Sequence, residues 1–106
     1  MIVRSDVPRG VQLAQTIHAA GCSAQLPGAS STAPPTVAVA LAAPPAQLAA
    51  LSRALADAGV AHVCVHEPDD PWHGALMAVG VVPAPRDLVR RYVAHLPLVR
   101  AKDDHG

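Results

Sequence analysis

The sequence predicts a three-layer α/β/α domain built on a mixed four-stranded sheet. Short β-branched runs alternate with segments of helical spacing in the order strand, helix, strand, helix, strand, strand, helix. A length of 106 residues suits one domain, and 51% hydrophobic with 15% charged residues excludes general disorder. We expect a single domain over residues 1–100 and a flexible tail over 101–106.

The first half of the chain is predicted to hold two strands and one helix. Ile2 and Val3 are β-branched and predict a first strand from Met1 to Arg4. A helix is predicted over 11–20, where apolar residues recur at helical spacing. This repeat consists of Leu13, Ala14, Ile17 and Ala20. Residues 25–35 are rich in Pro, Gly, Ser and Thr and predict a loop. Thr36–Ala42 is a continuous apolar run and predicts a strand buried on both faces.

The second half is predicted to hold two further helices and two strands. Proline at 44 and 45 begins a helix that ends at Gly59, with Leu48, Leu51, Leu55 and Ala58 on one face. Val60–Glu67 alternates in polarity and predicts a strand, and Ala75–Val82 predicts another. The last helix is predicted from Pro85 to about Leu96. Its buried stripe is Leu88, Val89, Tyr92, Val93 and Leu96.

Composition excludes several classes of function. Eight Lys+Arg are balanced by eight Asp+Glu, so a strongly basic nucleic-acid binder is not indicated. Two cysteines are too few for a disulfide scaffold, and no secretory signal or membrane-spanning run is recognisable, which predicts a cytoplasmic protein without a membrane partner. No glycine-rich phosphate loop follows a strand, and no cofactor is expected.

The N-terminal segment resembles the type 2 peptidyl-tRNA hydrolase family. In that family the first strand ends in Arg-x-Asp-Leu and the first helix opens with Gly-Lys-x-Ala-Ala-Gln-x-x-His-Ala. The residues here that fall in register are Arg4, Asp6, Gly10, Ala14, Gln15, His18 and Ala19. Looser similarity extends through Ala78-Val79-Gly80 to Leu96-Pro97-Leu98. The resemblance implies the family fold, a homodimer, and hydrolysis of the ester between a peptide, or an N-blocked amino acid, and the terminal ribose of tRNA.

Three presumed functional positions depart from the family. Its lysine is Val11 here, a threonine of its loop signature becomes Pro71, and the threonine that opens its last strand becomes Ala75. Either Glu67 or Asp69 replaces the family aspartate. These changes favour an alternative function, a catalytically lapsed relative that serves as a binding or interaction module.

Ester hydrolysis requires a positioned water, a base and donors to the developing oxyanion. Gln15 and His18 are three residues apart on the predicted helix and can share one face. We expect His18 to act as the base, Gln15 to orient the carbonyl or the water, and Glu67 or Asp69 to hold the imidazole. The alternative for His18 is a hydrogen bond to a neighbouring backbone carbonyl.

Substrate binding is predicted for two groups of residues. The first flanks the predicted site in sequence and comprises Arg4, Asp6, Arg9 and Gly10. The second is the pair Arg86 and Arg90, one turn apart on the last helix, where arginines suit phosphate contacts. A solvated helix face with Asp87 pairing Arg91 is the alternative for this second group.

A metal site is weakly indicated. One face of the third predicted strand carries two histidines and a cysteine, and a further histidine lies in the loop that follows. These possible ligands are His62, Cys64, His66 and His73. Because no established ligand spacing is present, we predict no metal and keep metal-dependent activity as a minor alternative. Trp72 is expected to pack against a ligand base or a partner subunit, or to cap the edge of its own sheet.

Overall fold

The computed structural model describes residues 1–27 and 38–99. It shows an α/β domain with three helices and a mixed four-stranded sheet, which confirms the predicted fold class at this level. The elements are β1 (Ile2–Arg4), α1 (Arg9–Ser23), β2 (Leu41–Ala43), α2 (Pro45–Asp57), β3 (His62–Glu67), β4 (Ala75–Val81) and α3 (Arg86–Val93). None of these helices is long and apolar enough to cross a membrane. The predicted tail, 101–106, lies outside the described residues.

The sheet has the order β2-β1-β4-β3. β1 is parallel to β2, whereas β4 is antiparallel to both β1 and β3. The carboxyl ends of β1, β2 and β3 therefore meet at one edge of the sheet, together with the start of β4. Ligand sites of open α/β sheets are commonly found at this edge.

Two apolar clusters cover opposite faces of the sheet. Ile2 and Val3 are adjacent in β1 and point to opposite faces, as strand geometry requires. Ile2 belongs to a cluster with the α2 leucines and Leu96, against which Tyr92 and Val93 of α3 also pack. Val3 belongs to a second cluster with Ala19 of α1 and Ala78 of β4. The helices consequently form layers on both sides, with α1 opposite α2 and α3.

The prediction for α2 is confirmed almost in full. The helix begins at Pro45, Leu48, Leu51 and Leu55 are buried, and Gly59 follows with a φ of 71°. Ala58, which was expected on the buried face, is exposed because the helix ends at Asp57.

The predicted helix over 11–20 is present as α1, but its apolar repeat is not the face that it buries. Leu13 and Ile17 of the apolar repeat are 56% and 71% exposed. The helix instead buries Gln12, Gln15, Ala19 and Ser23 against the sheet. Each buried polar side chain has a hydrogen-bond partner, which offsets the cost of taking it out of water. Small residues at the contact let α1 approach β4 closely.

The structure corrects two further expectations, one for β2 and one for α3. β2 begins at Leu41 rather than at residue 36, and Val39 is exposed; Thr36 and Val37 lie outside the described residues. On the side of β2 away from β1, residues 97–99 bond to residues 40 and 42 through Val99 N–H and Pro97 C=O at 2.9 Å each. Leu88 is 60% exposed, since α3 spans only Arg86–Val93 and its packing is concentrated at Tyr92 and Val93.

Candidate active site

A cleft of about 330 Å³ lies at the edge where β1 and β3 end and α1 begins. Three segments contribute to its wall: the first two turns of α1, the end of β3 and the loop between β3 and β4. The lining residues are Gly10, Val11, Ala14, Gln15, Glu67, Asp69, Asp70 and Trp72. Four of the predicted site residues, Gly10, Gln15, Glu67 and Asp69, are therefore brought to one place.

Gln15 and Glu67 are in direct contact within this cleft. Gln15 Nε2 donates to Glu67 Oε2 at 3.1 Å, and the backbone N–H of Asp69 donates to Glu67 Oε1 at 3.1 Å. A carboxylate can only accept, so these bonds fix which end of the Gln15 amide faces Glu67. Gln15 is only 5% exposed, so its side of the contact is shielded from water. The carboxylate of Glu67 is thus held on both oxygens.

Glu67 has a defined neighbour on β4. Glu67 pairs directly with Ala75, the first residue of β4. Paired residues of an antiparallel ladder project to the same face. Glu67 and Ala75 accordingly lie side by side on one face of the sheet.

A second polar group stands next to the cleft. Arg4 donates from Nε and Nη2 to the two carboxylate oxygens of Asp6 at 2.8 and 2.7 Å. The Arg4 guanidinium also lies over the Trp72 ring, 5.4 Å from its centroid. Trp72 therefore contacts Arg4 and also lines the cleft. Gln12 Nε2 donates to the Arg4 carbonyl at 2.9 Å and ties α1 to the end of β1.

The Arg4–Asp6 pair shifts the pKa of both groups. The bidentate hydrogen bond from Arg4 lowers the pKa of Asp6 below its ordinary value, and the same bond raises that of Arg4. A carboxyl whose pKa is depressed in the folded state stabilises the fold above its unfolded pKa, and that stabilisation is lost as the pH falls through the folded value.

We expect Asp6→Asn to lower the free energy of unfolding at pH 7 by at most about 1 kcal/mol, because the Asp6 side chain is 45% exposed and solvent screens the pair. The difference from the native protein should disappear below the depressed pKa of Asp6, where the carboxyl is protonated in both states. Urea denaturation at pH 7 and at acidic pH measures how the difference in unfolding free energy shrinks as the pH falls. An equal difference at the two pH values would contradict this account of the pair.

The remaining predicted site residues lie elsewhere. His18 is exposed on α1 and is not one of the described residues that line the cleft. Arg9 is the exposed first residue of α1, immediately before Gly10. Arg90 is exposed in the last turn of α3, on the opposite side of the sheet from α1, and Arg86 begins that helix. Neighbouring Arg91 donates to the Tyr92 hydroxyl at 2.8 Å and lies over its ring.

The histidines considered as metal ligands each have a separate partner. His66 Nδ1 donates to the Gly74 carbonyl at 3.0 Å, and His73 pairs with Asp70 at 3.0 Å. His62 and Cys64 both contact Ser52. Within residues 1–27 and 38–99, no group of three or more His, Cys, Asp or Glu side chains is placed to hold a metal ion.

Sequence reasoning missed two features of the site. The contact between Arg4 and Trp72 joins residues 68 positions apart, and nothing local to either one signals it. The anchoring role of Gln12 was detectable, because Gln12, Gln15 and Ala19 share one helical face and compete with the apolar repeat for the sheet.

Comparison with known proteins identifies no relative of this chain. No protein-family model matches the chain, and no curated protein matches it significantly.

Proposed function

We propose that the cleft hydrolyses the ester that joins a peptide, or an N-blocked amino acid, to the terminal ribose of tRNA. The observation that carries the proposal is the 3.1 Å contact between Gln15 and Glu67. These two residues were singled out from separate parts of the sequence, and they meet in a cleft at the carboxyl ends of strands. A fixed carboxylate beside a fixed amide is a suitable arrangement for activating water at a carbonyl.

Glu67 is the proposed general base, in place of His18. Its carboxylate is held by Gln15 and by the Asp69 N–H, so it is oriented before substrate arrives. Asp69 and Asp70 also line the cleft and add carboxylates to its wall. The oxyanion that forms on the ester carbonyl requires donors, and the first turn of α1, at Gly10 and Val11, offers backbone N–H groups on the same wall.

The cleft would receive the ester end of the tRNA rather than its phosphates. Three carboxylates line it, and Arg4 is already neutralised by Asp6. Negative charge of this kind repels a phosphate chain but tolerates a neutral ester. The Trp72 ring supplies a surface on which the terminal base can stack. Homodimer formation, which the family resemblance implies, stays a prediction.

A binding module without catalysis is the second candidate. It is favoured by Val11, which lines the cleft at the position of the family lysine. An apolar side chain there cannot supply the positive charge that a lysine would offer to the reacting ester. In this case the same cleft would bind an aminoacylated or peptidylated RNA end without cleaving it.

Single-turnover release of an N-blocked aminoacyl group from tRNA tests the proposal. The native protein should release it above the spontaneous rate, and Gln15→Ala should be at least about tenfold slower because Glu67 loses one of its two anchors. His18→Ala should retain the native rate, since His18 is exposed and away from the cleft. Trp72, the single tryptophan, reports binding through its fluorescence. Binding without release identifies the non-catalytic module, and neither binding nor release discards both candidates.

A further inference from the structure

A second chemically equipped site lies between α2 and β3. Ser52 of α2 stands between two residues of β3: its Oγ is 3.2 Å from His62 Nε2 and 3.0 Å from Cys64 Sγ. His62 Nδ1 lies 2.9 Å from the Val60 carbonyl oxygen. All three side chains are half-buried, so the group is partly open to solvent. None of these residues lines the cleft described above.

The Val60 carbonyl fixes the proton on the imidazole. A carbonyl oxygen only accepts, so His62 Nδ1 must carry a hydrogen and donate it. In the neutral ring Nε2 is then the acceptor, and the Ser52 hydroxyl is its donor. The single Ser52 proton is used by that bond, so the contact with Cys64 must be a thiol S–H that donates to Oγ. The chain of donors therefore runs from Cys64 through Ser52 to His62.

The same three contacts also satisfy the charged form of the group. If the thiol proton passes to Ser52 while the Ser52 proton passes to His62 Nε2, an imidazolium and a thiolate result. Nε2–H then donates to Ser52 Oγ, and the Ser52 hydroxyl donates to the sulfur. The two hydrogen bonds of Ser52 are kept with their directions reversed, and the Nδ1–H bond to Val60 is unchanged. A histidine cation that faces a thiolate through one hydroxyl is an arrangement that favours the nucleophilic form of cysteine.

We propose that Cys64 is a nucleophilic thiol, activated by His62 through Ser52, and a site of modification by small hydroperoxides. In the reaction the Cys64 sulfur attacks one peroxide oxygen, an S–O bond forms and the O–O bond breaks. The sulfur is oxidised by two electrons to a sulfenic acid, and the peroxide is reduced. The departing oxide takes a proton from the surrounding water and leaves as water or an alcohol, and His62 returns the proton it had received to the solvent. Ser52 and His62 act as positioning residues, because only the sulfur contacts the reagent.

The chain contains its own control. Cys22, the other cysteine, is exposed near the end of α1. Accessibility alone would make Cys22 the faster of the two, since Cys64 is half-buried. Faster reaction at Cys64 would therefore reflect activation rather than exposure.

The test is the rate of iodoacetamide alkylation at each cysteine at pH 7, followed by peptide mass spectrometry on the full-length protein. We expect Cys64 to react about tenfold faster than Cys22, because the contact through Ser52 to His62 can take up the proton of the attacking thiol. Ser52→Ala should bring Cys64 down to the Cys22 rate or below it. Ser52→Thr keeps a hydroxyl and should preserve the difference. In guanidinium chloride the two cysteines should become equal within about twofold, since the contacts are lost.

Folding of the variants is checked by circular dichroism and by an unchanged rate of alkylation at Cys22. Ser52→Ala is expected to fold, because alanine is favourable in a helix such as α2. Dimedone labelling after brief exposure to hydrogen peroxide should mark Cys64 ahead of Cys22. The proposal is overturned if native Cys64 reacts no faster than Cys22, if folded Ser52→Ala keeps the native Cys64 rate, or if dimedone marks Cys22 first.

Discussion

Glu67→Gln is expected to slow single-turnover ester release at least about hundredfold while leaving the fold intact, because the substitution removes the proposed base. Glutamine keeps the shape of the side chain. Its carbonyl oxygen can still accept from the Asp69 N–H, and the Gln15 amide can turn over to accept from the new amide nitrogen. The change therefore removes the negative charge and the basic lone pairs without breaking the anchors.

The matched control is Asp57→Asn, which removes one carboxylate charge at the exposed end of α2. It should keep the native release rate and the native response of Trp72 fluorescence to substrate. Glu67→Gln should also keep the Trp72 response, since the ring is supported by Arg4 rather than by Glu67. A native release rate in folded Glu67→Gln would remove Glu67 from the mechanism and leave Asp69 as the carboxylate to examine.

The elements that the sequence predicted best are those whose local pattern and tertiary packing agree. In α2 the leucine face, the opening prolines and the closing Gly59 all indicate the same helix, and the structure follows them. The alternation of faces could also be anticipated for β3, where Val65 packs on the α1 side and Cys64 on the α2 side.

The buried face of α1 could not be read from hydrophobicity. Leu13 and Ile17 form the more apolar stripe, yet the sheet receives Gln12, Gln15 and Ala19. The decisive facts are tertiary: the Arg4 carbonyl and the Glu67 carboxylate offer acceptors to the glutamines, and β4 leaves space only for small residues. Periodicity identifies that a helix has a preferred face, but partners on other elements decide which face is buried.

The residues of the candidate site were suggested by a motif, but their positions depend on where distant elements meet. Gln15 and His18 belong to the same motif, yet Gln15 contacts Glu67, one of the two carboxylates considered, whereas His18 is exposed. A three-residue separation on a helix places side chains about one turn apart, which does not settle whether both enter one cleft. The stacking of Trp72 on Arg4 depends on the path of the loop between β3 and β4, for which the sequence has no periodic signal.

Gly80→Ala is expected to lower the free energy of unfolding by about 2–3 kcal/mol, which corresponds to a fall in Tm on the order of 10–20 °C. Gly80 is buried in β4 under α1, and a Cβ at this position would overlap the backbone carbonyl oxygen of Ala19 and crowd Ser23 Cβ at 3.0 Å. The obstacle is helix backbone rather than a flexible side chain, so the new methyl group can be accommodated only if α1 moves away from the sheet.

Gly21→Ala is the matched control, since it adds the same methyl group to α1 where nothing lies within 4 Å of the new Cβ. It should raise stability by about 0.5–1 kcal/mol, because alanine is the better helix former. Displacement of α1 in Gly80→Ala would also pull Gln15 from Glu67, so a folded variant should lose ester release together with stability, whereas Gly21→Ala should lose neither. Equal unfolding midpoints for the two variants in urea would show that α1 and β4 are not in the close contact that sets the position of Gln15.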